Sequence, residues 1–392
     1  MKLNTNLLRY EKENTFSRVK EKIAEYKHQH PEADVISLGI GDVSRPIPQP
    51  AVDAIKDACE NLTNMANFPG YGAYYGLSVL KEAILSNDYK NFDFTFDELY
   101  VSDGTKTDSG NILELFDKHA TVGIPSTMYP IYANSCIAMD RTTISLNMND
   151  NMKCLPPWGQ SIDLIYLCSP NNPSGIAYTY KDLEQWLQYC KQYNAIIIYD
   201  NVYEPFIRNK NCPHSIYEIE GMKSYAIELR SFSKKASFTG MRCSYYIIPN
   251  ELYTDINFYW HERTLNRFNG ASYLAQIGAA ATYLPESQKI IADNIKYYQK
   301  NTDILKQGLT DLGFTIIGGE DAPFMLIKNL AGKSSWDMFH WFLKQFNIVV
   351  IPGIIFGQSC DGYCRLSALG PTTDIEKAIM RIKEYYKNEK AH

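Results

Sequence analysis

The feature that most constrains this chain is a recurrence: short apolar runs, each closed by turn residues, alternate with stretches of helix length. The runs are "ELYVS" (98–102), "DLIYLC" (163–168), "NAIIIYD" (194–200), "SYAIEL" (224–229) and "CSYYIIP" (243–249). Their apolar positions are consecutive, the pattern of strands buried on both faces. Between the second and third lies "YKDLEQWLQYCKQY" (180–193), with Leu183, Trp186, Leu187 and Cys190 at helical spacing. Such alternation implies an α/β fold with a mainly parallel sheet and crossover helices. The two ends of the chain read differently. They carry amphipathic helical patterns such as "QKIIADNIKYYQKNTDILKQGLTDLG" and shorter strand-like pieces such as "FNIVVIP" at 346–352. Residues 1–45 are therefore expected to form an N-terminal arm and part of a small α+β domain. Residues 46–284 should form the large domain, and 285–392 the rest of the small one.

Charge and cysteine usage narrow the partners. With a net charge of -5 and no long basic run, the chain has no electrostatic footprint for nucleic acid or an anionic membrane. No apolar run approaches the ~20 residues that cross a bilayer, and "MKLNTNLLRYEKENTF" lacks a signal-peptide core. The expectation is a cytoplasmic protein that handles small molecules. The nine cysteines are odd in number and scattered, which argues for reduced thiols rather than a disulfide framework. Cys360 and Cys364 form a lone pair and the seven histidines show no ligand spacing, so no metal site is expected.

Four polar clusters follow strand-like runs directly, at the carboxyl ends where open α/β sheets bind ligands. After "ELYVS" come Asp103, Gly104, Thr105 and Lys106, at the start of a helix-like run suited to an anion. After "DLIYLC" comes the turn "SPNNPSG", displaying Asn172; after "AIIIY" come Asp200 and Tyr203; after "SYAIEL" come Ser231, Ser233, Lys234, Lys235 and Arg242. Each has an ordinary alternative. A strand-ending Asp is most often a cap, "NNPSG" a turn, and paired lysines a solvated surface, while the Gly104 loop lacks the spacing of a P-loop. Together they place an anion cradle, a carboxylate, a phenol, an amide and a lysine along one sheet edge.

Pyridoxal 5'-phosphate needs that set: a lysine for its aldehyde, N–H groups and a cation for its phosphate, a carboxylate for its ring nitrogen and neutral donors for its phenolic oxygen. At these residues the chain resembles the fold-type-I aminotransferases. The resemblance rests on the ordered motifs "SDGTK", "STMYPIY", "CSPNNPSG", "YDNVYEPF", "SFSKKASFTGMR" and "YCRLSALG", spanning roughly residues 35–370.

The resemblance implies the PLP-dependent transferase fold and a role for each matching residue. Lys234, directly after S-x-S and eight residues before Arg242, is the lysine that bonds the cofactor, while Lys235 falls where the family varies. Asp200 is implied at the ring nitrogen, Asn172 and Tyr203 at the phenolic oxygen, and Tyr129 stacked on the ring. Phosphate is implied at Thr105, Lys106, Ser231, Ser233 and Arg242, with Tyr71 reaching in from a second subunit of a homodimer. Arg365 is implied to grip the substrate α-carboxylate, a bidentate task suited to guanidinium, with Gly41 where substrate approaches backbone. Cys243 and Ser244 depart from the common aliphatic-Gly pair after the arginine.

Within the aminotransferases, "VISLGIGDVSRPIP", "GYGAYYG", "VSDGTKTD", "YPIYANS", "RFNGASYLAQ" and "VIPGIIFG" look like the LL-diaminopimelate aminotransferase family. That family exchanges an amino group between LL-diaminopimelate or tetrahydrodipicolinate and the 2-oxoglutarate/glutamate pair in lysine biosynthesis. Lys106 and Asn269 match positions facing the far end of its substrate. Two positions depart. Tyr74 stands where the family has an acid for the distal ammonium, and Asn14, Thr15 and Phe16 stand where it has Y-L-F. An unpaired ammonium in a closed pocket costs several kcal/mol, so a transaminase with another donor stays open, as do a PLP-dependent lyase or oxidase and a regulator's binding domain on the same fold.

Overall fold

Seven strands form the central sheet of the computed structural model, which describes residues 2–10, 15–39, 41–328 and 332–389. They are β1 (Leu99–Ser102), β2 (Val122–Pro125), β3 (Thr143–Leu146), β4 (Leu164–Cys168), β5 (Ile196–Asp200), β6 (Ala226–Ser231) and β7 (Ser244–Ile247). Their order across the sheet is β1-β7-β6-β5-β4-β2-β3. All neighbours are parallel except β7, which runs antiparallel to both β1 and β6. Five of the seven lie within the expected runs or within two residues of them. The other two, β2 and β3, carry Gly123, Pro125, Thr143 and Ser145, which dilute the apolar signal; β3 is an edge strand with Thr143 and Ser145 exposed.

The consecutive apolar residues of the strands feed two cores on opposite faces of this sheet. Ile165, Leu167, Ile197 and Tyr199 point to one, Leu164, Tyr166, Cys168 and Ile198 to the other, the period-2 alternation of a strand covered on both sides. The helix at Tyr180–Tyr193 covers the first face. Thr179 and Asp182 form its capping box, and Asn194, at φ 54°, ends it. Its expected stripe is buried, with Trp186 fully so; truncating that indole to Ala would cost roughly 3–5 kcal/mol.

Both chain ends build a second core. Strands β8 (Ile316–Gly318), β9 (Phe324–Lys328), β10 (Ile351–Pro352) and β11 (Tyr363–Ser367) form an antiparallel sheet in the order β10-β11-β9-β8. Val19, Ile36 and Leu38 join it from the N-terminal side. The run "FNIVVIP" serves two sheets, because Ile348–Val349 pairs in parallel with Ile36–Ser37 while Ile351–Pro352 pairs with β11. The helix Pro285–Thr310 belongs to both cores: Ile291, Ile295 and Tyr298 pack with the large one, Leu305 and Leu309 with the small one. The expected boundary at 285 thus falls where a shared helix begins. No described helix is long and apolar enough to cross a membrane.

Candidate active site

The carboxyl ends of β1, β4, β5 and β6 open into a cavity of about 660 Å³, closed on the far side by the small domain and by the helix Phe16–Gln29. Twelve residues singled out from sequence line it: Gly41, Thr105, Lys106, Tyr129, Asn172, Asp200, Tyr203, Ser231, Ser233, Lys234, Arg242 and Arg365.

At the floor, Asp200 ends β5 beside Cys168 of β4 and is buried. Burial pushes its carboxyl up to about 6, against the pull of the hydrogen bonds it accepts from the Tyr132 hydroxyl and, at 3.3 Å, the Val202 N–H. No cation pairs with it among the described residues, so the site holds a buried carboxylate without its counter-charge. Tyr132, three residues beyond Tyr129 on the helix Ile131–Ala138, was not read from sequence. The available signal was a second tyrosine in the first turn of the helix that directly follows Tyr129.

The two lysines sit at the end of the short helix Phe232–Lys235, which Ser231 caps by accepting from the Ser233 N–H at 3.1 Å. Successive helical residues diverge by about 100°, so the two lysines leave in different directions. Lys234 enters the cavity, where its ammonium donates to the Gly41 carbonyl. Burial, with Arg365 and Arg242 nearby, lowers it to about 8 despite Asp42, which pulls the other way. Lys235 turns away from the cavity, to Asp88.

An anion cradle lies beside it. Gly104, at φ 146°, precedes the helix Thr105–Asn111, and a Cβ there would lie 1.9 Å from Arg242 Nη2. Only glycine lets that guanidinium lie against the turn. Arg242 is itself held at φ 58° and donates to the Thr239 carbonyl at 3.0 Å.

Arg365, on β11 opposite Leu326 and Ile351, reaches in from the small domain and is buried. It donates to Asn172 Oδ1 at 2.8 Å and to the Gly39 carbonyl at 2.9 Å, while its Nε has no partner. The rings of Phe324, Phe356 and Phe16 lie 4.6, 5.0 and 6.0 Å from it. Desolvation lowers it to about 10. A buried cation without a carboxylate is costly and is offset when an anionic ligand arrives. Burial likewise raises the buried phenol of Tyr203, which stays protonated beside it.

These features fit pyridoxal 5'-phosphate: an unpaired buried carboxylate for a protonated ring nitrogen, a lysine for the aldehyde, and a cation-lined turn for phosphate. Among the described residues of the lining, Lys106, Lys234, Arg242, Arg365 and Lys20 face only Asp42 and Asp200 as carboxylates, an excess of positive charge suited to anionic ligands. Lys20 and Asp42 were also missed by sequence, Lys20 because a charged position on an amphipathic helix reads as solvated surface.

Tyr71, Tyr74 and Asn269 stand outside this cavity. Tyr71 is 81% exposed and Asn269 is exposed. A Cβ on Gly270 would lie 2.6 Å from the Ala73 carbonyl, so Asn269 and Tyr74 share one surface patch. Of the N-terminal departures, Phe16 lines the cavity and Thr15 caps its helix, whereas Asn14 lies outside the described residues.

The family model for aminotransferase class I and II matches residues 33–382. The LL-diaminopimelate aminotransferase of Lawsonia intracellularis is 41% identical over 94% of this chain and 95% of that protein. The enzyme of the same name from Phocaeicola vulgatus is 37% identical over 98% and 99%. The solved L,L-diaminopimelate aminotransferase from Chlamydomonas reinhardtii superposes with a TM-score of 0.92 at 34% identity, covering 98% of this chain and 99% of that one.

Proposed function

Because the chain belongs to the class I and II aminotransferases, and so is a pyridoxal-phosphate-dependent transaminase of small amino and 2-oxo acids, we propose that it exchanges the amino group of LL-diaminopimelate with the 2-oxoglutarate/glutamate pair. The observation that carries this reading is the buried, carboxylate-free Arg365 at one end of a cavity that also presents Lys106. Two cations on the lining of one cavity suit a substrate with two carboxylates, and near-full-length likeness to enzymes bearing this name supports the choice.

When bound, the cofactor supplies an electron sink for the substrate's α-carbon. Arg365 then takes the α-carboxylate in place of part of its present backbone and amide contacts. Lys234, lowered to about 8, is matched to accept the α-proton near neutral pH and return it. Asp200 would hold the ring nitrogen as an ionised carboxylate, Asn172 and Tyr203 would donate to the phenolic oxygen, and Tyr129 would pack on the ring.

The distal end draws on a second copy of the chain. Leu62, Met65, Phe68 and Tyr71 are exposed along one segment, as are Phe258 and Tyr259 on the helix Ile256–Arg267. That much exposed apolar surface calls for a cover, and a homodimer would bring Tyr71, Tyr74 and Asn269 to the partner's cavity. Nine unpaired cysteines, eight of them buried, support a cytoplasmic enzyme.

Tyr74 favours a second reading, a donor whose far end carries no ammonium. Glutamate production from 2-oxoglutarate with a panel of amino donors decides between them. LL-diaminopimelate as the preferred donor supports the first reading; preference for an uncharged or aromatic donor establishes the second. Absence of transfer from every donor by a cofactor-loaded enzyme would remove both and favour a lyase or a sensor.

A further inference from the structure

Lys235 is the unexplained half of the lysine pair. Its ammonium lies 2.6 and 2.8 Å from the two carboxylate oxygens of Asp88, at the end of the helix Ser78–Asn87. Both side chains are nearly buried, at 12% and 11% exposure. Asp88 also accepts from the Tyr245 and Tyr283 hydroxyls, and the Lys235 ammonium sits 4.5 Å from the centre of the Tyr283 ring. Phe232, at the other end of the same four-residue helix, packs on both tyrosines at 5.3 and 5.9 Å between ring centres.

This anchorage is placed where the backbone has least support of its own. The helix Phe232–Lys235 is a single turn, too short to be stable alone. It leads into a loop in which Ser237 and Arg242 both adopt positive φ, at 63° and 58°, a conformation that persists only when surroundings impose it. Lys234 has a flexible four-carbon stem, so the direction of its amine depends on how firmly that turn is held.

We propose that the Lys235–Asp88 ion pair is a positioning device: it locks the turn so that Lys234 points into the cavity and Lys235 cannot compete for the cofactor. The proposal rests on the reading of Lys234 as the cofactor lysine. Misplacing a reacting group by about 1 Å costs on the order of 100-fold in rate, so the pair acts on turnover without touching substrate.

The test compares Lys235→Met, Asp88→Asn, the double variant and Lys235→Arg with the unaltered enzyme. Four quantities are read: melting temperature of the cofactor-free protein, the site of the borohydride-trapped adduct, the pH midpoint of the bound cofactor's visible absorption, and kcat against KM for glutamate. The expected result is an adduct still on Lys234 in every protein, with kcat about 10- to 100-fold lower in both single variants and KM within about twofold. Both single variants should move the absorption midpoint in the same direction, and Lys235→Arg should restore most of kcat and midpoint. The double variant, which buries no unpaired charge, should regain melting temperature without regaining kcat.

A merely structural pair would lower melting temperature and leave midpoint and kcat unchanged, overturning the proposal. Midpoint shifts of opposite sign that cancel in the double variant would overturn it too, because they mark a charge effect. If the adduct of the unaltered enzyme maps away from Lys234, the functional reading fails and takes the positioning role with it. That outcome is visible before any variant is made.

Discussion

The inner end of the cavity and the surface residues proposed to complete an outer end in a partner's cavity are built in opposite ways. At the inner end, Asn172, Asp200, Tyr203, Ser231 and Arg365 are all buried, and all five are fixed at the ends of strands, within them or in the turn that follows. Among the surface residues, Tyr71 and Asn269 are exposed, and Tyr74, whose backbone lies against Gly270, also stands away from the chain's own lining. The inner end is assembled within one chain, Arg365 on β11 meeting the sheet edge that carries Asp200 and Ser231; in the proposed homodimer a second copy would complete the other. On that proposal, cofactor chemistry and recognition of the substrate's far end rest on different parts of the fold and should fail separately.

The largest expected effect is at the inner end. Lys234→Ala should abolish the borohydride-trapped adduct and lower turnover by on the order of five powers of ten, as expected for loss of both the covalent attachment and the proton carrier. Absorption spectra and mass mapping check it. Lys235→Ala should retain the adduct.

Asp200→Asn comes next. Removing the charge at the ring nitrogen should lower turnover by about three powers of ten, roughly 4 kcal/mol, with a smaller effect on cofactor affinity. The cofactor-free protein offers a second check, because burial raises the Asp200 carboxyl in the folded state to about 6. An acid raised on folding destabilises when ionised: the cost is absent below its unfolded value near pH 4 and complete above about pH 6. Asp200→Asn should therefore melt higher than the unaltered cofactor-free protein at pH 8 and equally at pH 4. Equal melting at both pH values would show that Asp200 is already paired.

Smaller still is Arg365→Lys, which keeps the charge and loses the planar fork. It should raise KM for every amino and oxo acid by about 100-fold, or 2–3 kcal/mol, without moving the absorption of bound cofactor. Smallest is Tyr74→Glu, which should improve LL-diaminopimelate over glutamate by about tenfold. An equal change for both donors would detach Tyr74 from the distal end.

Much of the inner end was legible in sequence because a buried parallel strand announces itself twice, as a consecutive apolar run and as the polar cluster that follows it. Asp200 after "AIIIY" and Lys234 after "SYAIELRSFS" are of this kind. Their ordered resemblance to the aminotransferases then assigned the cofactor. Residues whose placement depends on distant packing left no local mark. Tyr132 acts through Asp200, 68 positions away; Asp88 meets Lys235 across 147. Lys20 lines the cavity only because Val19 docks its helix on the small-domain core. The strands β2 and β3 were hidden for another reason, since the glycine, proline and exposed hydroxyls they tolerate near the sheet edge erase the apolar run.

The proposed division between an inner end built by one chain and a side chain, Tyr71, lent by a partner is tested most directly by mixing two impaired proteins. Lys234→Ala lacks the inner chemistry, and Tyr71→Ala lacks the lent side chain. If each cavity combines its own Lys234 with the partner's Tyr71, a mixed dimer holds one doubly damaged site and one intact site. Co-refolding equal amounts should then restore about a quarter of unaltered activity, half the dimers being mixed and half their sites intact. Activity no greater than the average of the two parents would contradict the account, placing both residues in the service of the same chain's cavity or Tyr71 in none.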